Sequence, residues 1–177
     1  MYVVRCLTTL HGQKAGKHIF CYNTGNINRI LNDREGKMIK DDCIFCKLAN
    51  GVFPTNVVYE DEDFTVILDA APAAKGHSLI IPKRHSDCIY DLPEETAAKV
   101  MPLAKKIALA MKKTFDCDGV NIQQNNEPAA GQSVFHFHTH VIPRKKGDGI
   151  SLLWKPGKPK DEEQKEVCRL IAENIEK

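Results

Sequence analysis

The chain has 177 residues, 42% hydrophobic and 27% charged, which suits one compact domain with its own core and leaves too little for two large ones. Its 25 basic and 23 acidic side chains sum to a formal charge of +2, so no whole-chain basic field exists to drive sequence-independent nucleic-acid binding. Apolar runs such as Leu79 to Ile81 are too short to span a membrane, and seven scattered cysteines follow no secretory leader, so a reducing, cytoplasmic setting without a disulfide framework is expected.

Residues 1–37 carry six basic and two acidic side chains, a balance of +4 that leaves −2 for residues 38–177. With few large apolar side chains this stretch reads as a poorly ordered basic extension, and the folded domain is expected from Met38 to Lys177. Asp42 is read as the N-cap of a short helix Cys43 to Asn50, stopped by Gly51. Val57 to Glu60, Phe64 to Asp69 and His77 to Pro82 are β-branched or aromatic runs separated by turn residues, and so read as three successive strands. From Pro93 to Phe115 the period changes: Val100, Leu103, Ala104, Ile107, Ala108, Met111 and Phe115 fall at helical spacing, with Pro102 expected to kink the helix or sit near its first turns. Gly119 to Gln124 and Val134 to Pro143 read as two more strands, and residues 161–176 as a closing polar helix. The links between neighbouring strands are too short for parallel crossovers, so an α+β fold on an antiparallel sheet, with one long amphipathic helix and a C-terminal helix, is expected.

The strand Val134 to Pro143 carries His136, His138 and His140 at alternate positions, which directs all three imidazoles to one face. At about 3.3 Å per residue the outer two lie about 13 Å apart, so they cannot easily share one ion, although an adjacent pair can. Three histidines on one row are too polar to be ordinary packing. The preceding loop, Asn125 to Ala130 followed by Gly131-Gln132-Ser133, offers small residues, backbone donors and a hydroxyl, the makings of a phosphate cradle; the same residues are ordinary turn formers. Cys43 and Cys46, three apart, can direct both thiols to one side of a helical turn. One such pair is half of a metal site, and a redox couple or two unlinked buried thiols are the alternatives. The run Arg144-Lys145-Lys146 reads as solvated surface, with attraction of a polyphosphate as the alternative. Trp154 is the lone tryptophan, read as a packing anchor or a contact to substrate or partner subunit.

These motifs, taken with Leu68-Asp69, Lys75-Gly76-His77, Ile81-Pro82-Lys83-Arg84-His85 and the pattern His-φ-His-φ-His-φ-φ, resemble the histidine-triad (HIT) family. The likeness runs over most of residues 42–157 and is greatest to the small bacterial-type branch related to the Hint nucleotide phosphoramidases. Thr139 departs from the apolar pattern at one φ position, on the side away from the histidines. The resemblance implies a nucleotide hydrolase in which His138 attacks the α-phosphorus to form a nucleotidyl-histidine, with His140 and Ser133 holding the phosphate oxygens or leaving group. It further implies that Asp69 accepts from the ribose hydroxyls, that Asn125, Gln132, Ser133 and His140 lie on the phosphate side, and that Ile44 and Phe45 line the base pocket. His85 and His136 would complete a structural zinc site with Cys43 and Cys46, and the protein would be a homodimer. Purine nucleoside phosphoramidates or adenylated compounds are the expected substrates. A dinucleoside polyphosphate hydrolase and a nucleotide-binding regulatory module with little turnover are the alternatives.

Overall fold

The computed structural model describes residues 39–152 and 155–175. The expected extension over residues 1–37, the domain start at Met38, Trp154 and the last residue of the closing helix lie outside them.

A five-stranded sheet forms the centre, ordered β1-β2-β3-β5-β4 from β1 (Val57–Glu60), β2 (Phe64–Leu68), β3 (Ser78–Pro82), β4 (Gly119–Gln124) and β5 (Thr139–Arg144). Every neighbouring pair is antiparallel, as the short links require. Helix α2 (Glu94–Phe115) covers one face: its Val100, Leu103, Ala104, Ile107 and Met111 pack with Phe64, Val66, Ile80, Phe137 and Val141. The short helix α1 (Ile44–Ala49) covers part of the other, where Ala49, Ile67, Leu79 and Ile81 form a second cluster with Phe45 and Leu48 against it. Because strand side chains alternate, residues 66, 80 and 141 face α2 while 67, 79 and 81 face α1. His140, opposite Leu79 in the register, therefore belongs to the α1 side.

Pro102 lies inside α2 with a helix on both sides of it. It is exposed, as is Ala98, so the carbonyl that loses its i+4 donor to proline faces water rather than core. Helix α3 (Asp161–Glu173) is exposed throughout, its ion pairs being internal, Lys165 with Asp161 and Arg169 with Glu166 and Glu173. No helix among the described residues is long and apolar enough to cross a membrane.

Three local expectations change. The cap of α1 is Cys43, not Asp42: the Cys43 Sγ accepts the Cys46 N–H at 3.5 Å, and the thiol that starts the helix is also turned inward. Helix α2 starts at Glu94, with Pro93 as the capping residue. Strand β5 begins at Thr139, five residues later than alternation predicts. Residues 134–136 instead form bends, the His136 N–H donating to the Val134 carbonyl at 2.9 Å and the Phe137 N–H to the Ser86 carbonyl at 2.6 Å.

Thr139 lies on the α2 face and is 2% exposed, and its Oγ1 is the one buried side-chain oxygen or nitrogen without a hydrogen-bond partner among the described residues. Leaving such a group unpaired costs on the order of 1–3 kcal/mol. Thr139→Val, which keeps the shape and removes the hydroxyl, is expected to raise the unfolding free energy by about 1 kcal/mol in urea titration; an unchanged or lower midpoint would show that the hydroxyl has a partner in solution.

Candidate active site

Two clusters of imidazoles occupy the α1 side of the sheet. In the first, Cys43 and Cys46 from the first turn of α1 meet His85, three residues past the end of β3, and His136 from the bends before β5. Cys43 Sγ lies 3.4 Å from His136 Nδ1, Cys46 Sγ lies 3.3 Å from His85 Nδ1 and 3.5 Å from His136 Nδ1, and the two Nδ1 atoms are 3.2 Å apart. With Zn–N near 2.0 Å and Zn–S near 2.3 Å, the edges of a tetrahedron come to roughly 3.3–3.8 Å, so these four atoms stand at the corners of a site of about the right size. The outer nitrogens fix the inner ones. His85 Nε2 donates to Asp87 Oδ1 at 2.8 Å and His136 Nε2 to the Pro82 carbonyl at 2.9 Å, so both Nδ1 lone pairs point inward, the arrangement of a histidine ligand oriented by an outer acceptor. Burial pushes the Cys46 thiol up to about 12 and the His136 imidazole down to about 4. Two sulfurs and two imidazole nitrogens aimed at one buried point fit a tetrahedral cation such as zinc, and four protein donors would leave such an ion no open position for substrate.

His136 is thus drawn into a cluster with the two thiols; it and His138 both lie against Phe45 on the α1 side, but the strand expected to carry all three histidines begins only at Thr139, past the first two. His138 and His140 stay together, with ring centroids 5.0 Å apart at 66°. His138 is 5% exposed, with the ring of Phe45 edge-on at 5.0 Å. Its Nδ1 donates to the His136 carbonyl at 2.6 Å, which leaves the lone pair on Nε2. A third imidazole, His77, completes the group: His77 Nε2 and His140 Nδ1 are 2.9 Å apart. The Ala73 N–H donates to His77 Nδ1 at 3.1 Å, so the neutral ring carries its proton on Nε2 and passes it as a hydrogen bond to His140 Nδ1. His140 accordingly presents Nε2–H. Burial lowers all three imidazoles below the ordinary histidine range, His140 to about 4, so each ring is neutral at pH 7.

Asp69 closes the group at the end of β2. Its Oδ1 accepts the Ala71 N–H at 2.8 Å, and its Oδ2 lies 3.6 Å from His77 Nε2 and 4.0 Å from His140 Nδ1. The backbone bond from Asp69 N–H to the His77 carbonyl, 2.9 Å, sets the two side by side across the β2–β3 turn. Gly76, at φ +92°, makes the approach possible: a Cβ there would run into the Phe115 ring. His77, directly after that glycine at a strand entrance, is expected from the sequence to support another side chain rather than touch substrate, and it lies against His140.

Of the remaining candidates, Ile44 and Ser133 are exposed, while Asn125 is half-buried and accepts from Gln123 Nε2 at 3.0 Å through its Oδ1. Gln132 is buried, and its amide bonds to main chain: Oε1 takes the Glu127 N–H, and Nε2 donates to the carbonyls of Asp87 and Val134. The Arg144 guanidinium pairs with Asp148 at 2.7 Å and donates to Asn121 and the Ile150 carbonyl, so this basic residue staples a turn.

A family model described as the HIT domain matches residues 50–147. The chain is 45% identical over 116 residues to "Protein hit" of Bacillus subtilis, a match covering 65% of this chain and 80% of that one. It is 40% identical over 113 residues to a Saccharomyces cerevisiae protein named adenosine 5'-monophosphoramidase HNT1, covering 63% and 69% respectively. Among solved structures, a zinc-bound histidine triad family protein from Mycobacterium smegmatis superposes with a TM-score of 0.60 at 37% identity, over 75% of this chain and 98% of that one.

Proposed function

The chain belongs to the HIT family, and on that premise we propose that it is a nucleotide hydrolase working through a nucleotidyl-histidine intermediate, on purine nucleoside phosphoramidates or related adenylated compounds. One observation carries the reading: of two neighbouring imidazoles, the buried His138 offers an unprotonated Nε2 and the half-buried His140 an Nε2–H. The first is a nucleophile and the second a donor for a phosphoryl oxygen, ready without any proton transfer beforehand.

In the proposed reaction His138 Nε2 bonds to the α-phosphorus as the P–N or P–O bond to the leaving group breaks, and the leaving group takes up a proton. The nucleotidylated ring still carries Nδ1–H and is positive. The His136 carbonyl, 2.6 Å from that nitrogen, is placed to steady the charge. Water then attacks phosphorus, loses a proton, and releases His138 as the neutral ring. Ser133 and Asn125 serve the phosphate side, Asp69 the ribose, Ile44 and Phe45 the base, and Gln132 acts through the loop it braces. His77 keeps His140 in the tautomer that donates. The Cys43, Cys46, His85 and His136 centre is proposed as structural zinc that ties α1 to the sheet. A two-fold dimer is proposed as the assembly. Since α2 buries its main apolar row within the domain, the surface left for a partner consists of side chains such as Met101, Leu109 and Ile122.

Steady-state rates on adenosine 5′-phosphoramidate and a diadenosine polyphosphate, measured side by side, test the reading. The phosphoramidate is expected to turn over faster; the reverse order supports the dinucleotide alternative, and binding without turnover of either supports the regulatory module.

Because burial depresses the His138 and His140 pKa values, kcat/KM is expected to stay level from pH 8 to below pH 6.5 and to fall only at lower pH, as the nucleophile takes up a proton. Stability follows the same sign. With His140 near 4 in the fold and about 6.5 unfolded, the unfolded chain binds more protons between those values, so the contribution is complete above pH 6.5 and lost as pH falls toward 4. An acid limb at or above pH 7 would contradict the neutral triad.

A further inference from the structure

Gln132 is 4% exposed, and every polar atom of its side chain is bonded to main chain. Its Oε1 accepts the Glu127 N–H at 2.7 Å, and its Nε2 donates to the Asp87 carbonyl at 2.6 Å and the Val134 carbonyl at 3.0 Å. Glu127 has φ 65° and ψ 163°, a region that non-glycine residues rarely adopt and that persists only where neighbouring contacts enforce it. Asp87 is also the residue whose carboxylate accepts His85 Nε2–H at 2.8 Å. Asp91 ties this segment together by accepting the backbone N–H groups of both Asp87 and Cys88. A second tie joins the same two segments: the Ile89 N–H donates to Asn126 Oδ1 at 2.8 Å.

From these contacts we propose that Gln132 is a positioning residue that couples occupancy of the Cys43, Cys46, His85 and His136 centre to the nucleotide affinity of the loop 125–133. The coupling runs through named atoms. A cation on His85 Nδ1 fixes the ring, the ring fixes Asp87 through Nε2, the Asp87 carbonyl fixes the Gln132 amide, and Gln132 holds Glu127 and with it the strained loop. The inference rests on the nucleotide reading above. It adds that the metal centre does more than hold the fold, and that Gln132 works from behind the loop rather than by touching phosphate.

Linkage makes the coupling measurable, because a cation that raises nucleotide affinity has its own affinity raised by nucleotide in the same ratio. The full chain loaded with zinc is titrated at equilibrium with a chromogenic chelator, with and without AMP at a fixed multiple of each protein's own AMP Kd. In the wild type AMP is expected to raise zinc affinity about tenfold, within the usual range for coupled sites. In Gln132→Met, of similar shape but without the amide, the effect is expected to fall below twofold. Gln132→Glu provides a second variant: it keeps an acceptor for Glu127 and loses the donor to Asp87, so it too is expected to lose the effect although the loop keeps its brace. Equal AMP effects in the wild type and in whichever of these variants folds overturn the coupling, since that is what stabilisation of the whole domain by ligand would give. If calorimetry finds that AMP does not bind the wild type, the nucleotide reading falls and takes the coupling with it.

Discussion

His138→Ala is expected to lower kcat by a factor on the order of 10³ or more while changing nucleotide affinity less than about tenfold, because a nucleophile contributes to the transition state far more than to ground-state binding. The size of the effect follows from the geometry. His138 is 5% exposed with its Nδ1 proton committed to the His136 carbonyl, so no other ring on this face offers an unprotonated Nε2: His140 and His77 both carry their protons there. Rapid quenching without acid, followed by mass spectrometry of the peptides, is expected to find the nucleotide adduct on His138. An adduct on His140 would mean that the tautomers are reversed. A variant that keeps more than a few per cent of the wild-type rate would remove the covalent intermediate altogether.

Cys43→Ala is expected to lose the bound zinc, about one per chain in the wild type by elemental analysis, and to lower the melting temperature sharply. Structural zinc sites bind with apparent free energies on the order of 10 kcal/mol, comparable to the whole stability of a domain this size. Cys43 is both a proposed ligand and the cap of α1, so its loss also frees the N-terminal turn that carries Phe45 toward His138. His136→Ala is expected to resemble Cys43→Ala in metal content and melting temperature, whereas His138→Ala keeps both. That contrast separates ligand from nucleophile among histidines two residues apart. Wild-type protein with no metal, or with an unchanged melting temperature after chelation, would overturn the zinc proposal.

Much of the molecule was legible in the chain itself, where local rules decide. Helical spacing of apolar residues from Val100 to Phe115 identifies a helix because burial on one face imposes a period, β-branched or aromatic runs at 57–60, 64–69 and 77–82 identify strands, and the short links between strands already imply an antiparallel sheet. The pair Cys43 and Cys46 and the three alternating histidines pointed to a site because such residues are costly to bury without a task, and the Asn-rich loop before them added backbone donors and a hydroxyl. Tertiary structure decided the rest. Alternation alone predicts a strand from Val134, but the approach of α1 and His85 draws His136 into a cluster with two thiols, and the backbone bends there instead of pairing. The proton positions on His77, His138 and His140 come from an Ala73 amide and a His136 carbonyl, and the use of the Gln132 amide from Glu127 and Asp87. Sequence spacing carries information about neighbours along the chain. Which nitrogen of His140 holds its proton depends on His77, 63 positions away along the chain, which meets it only once the sheet has formed.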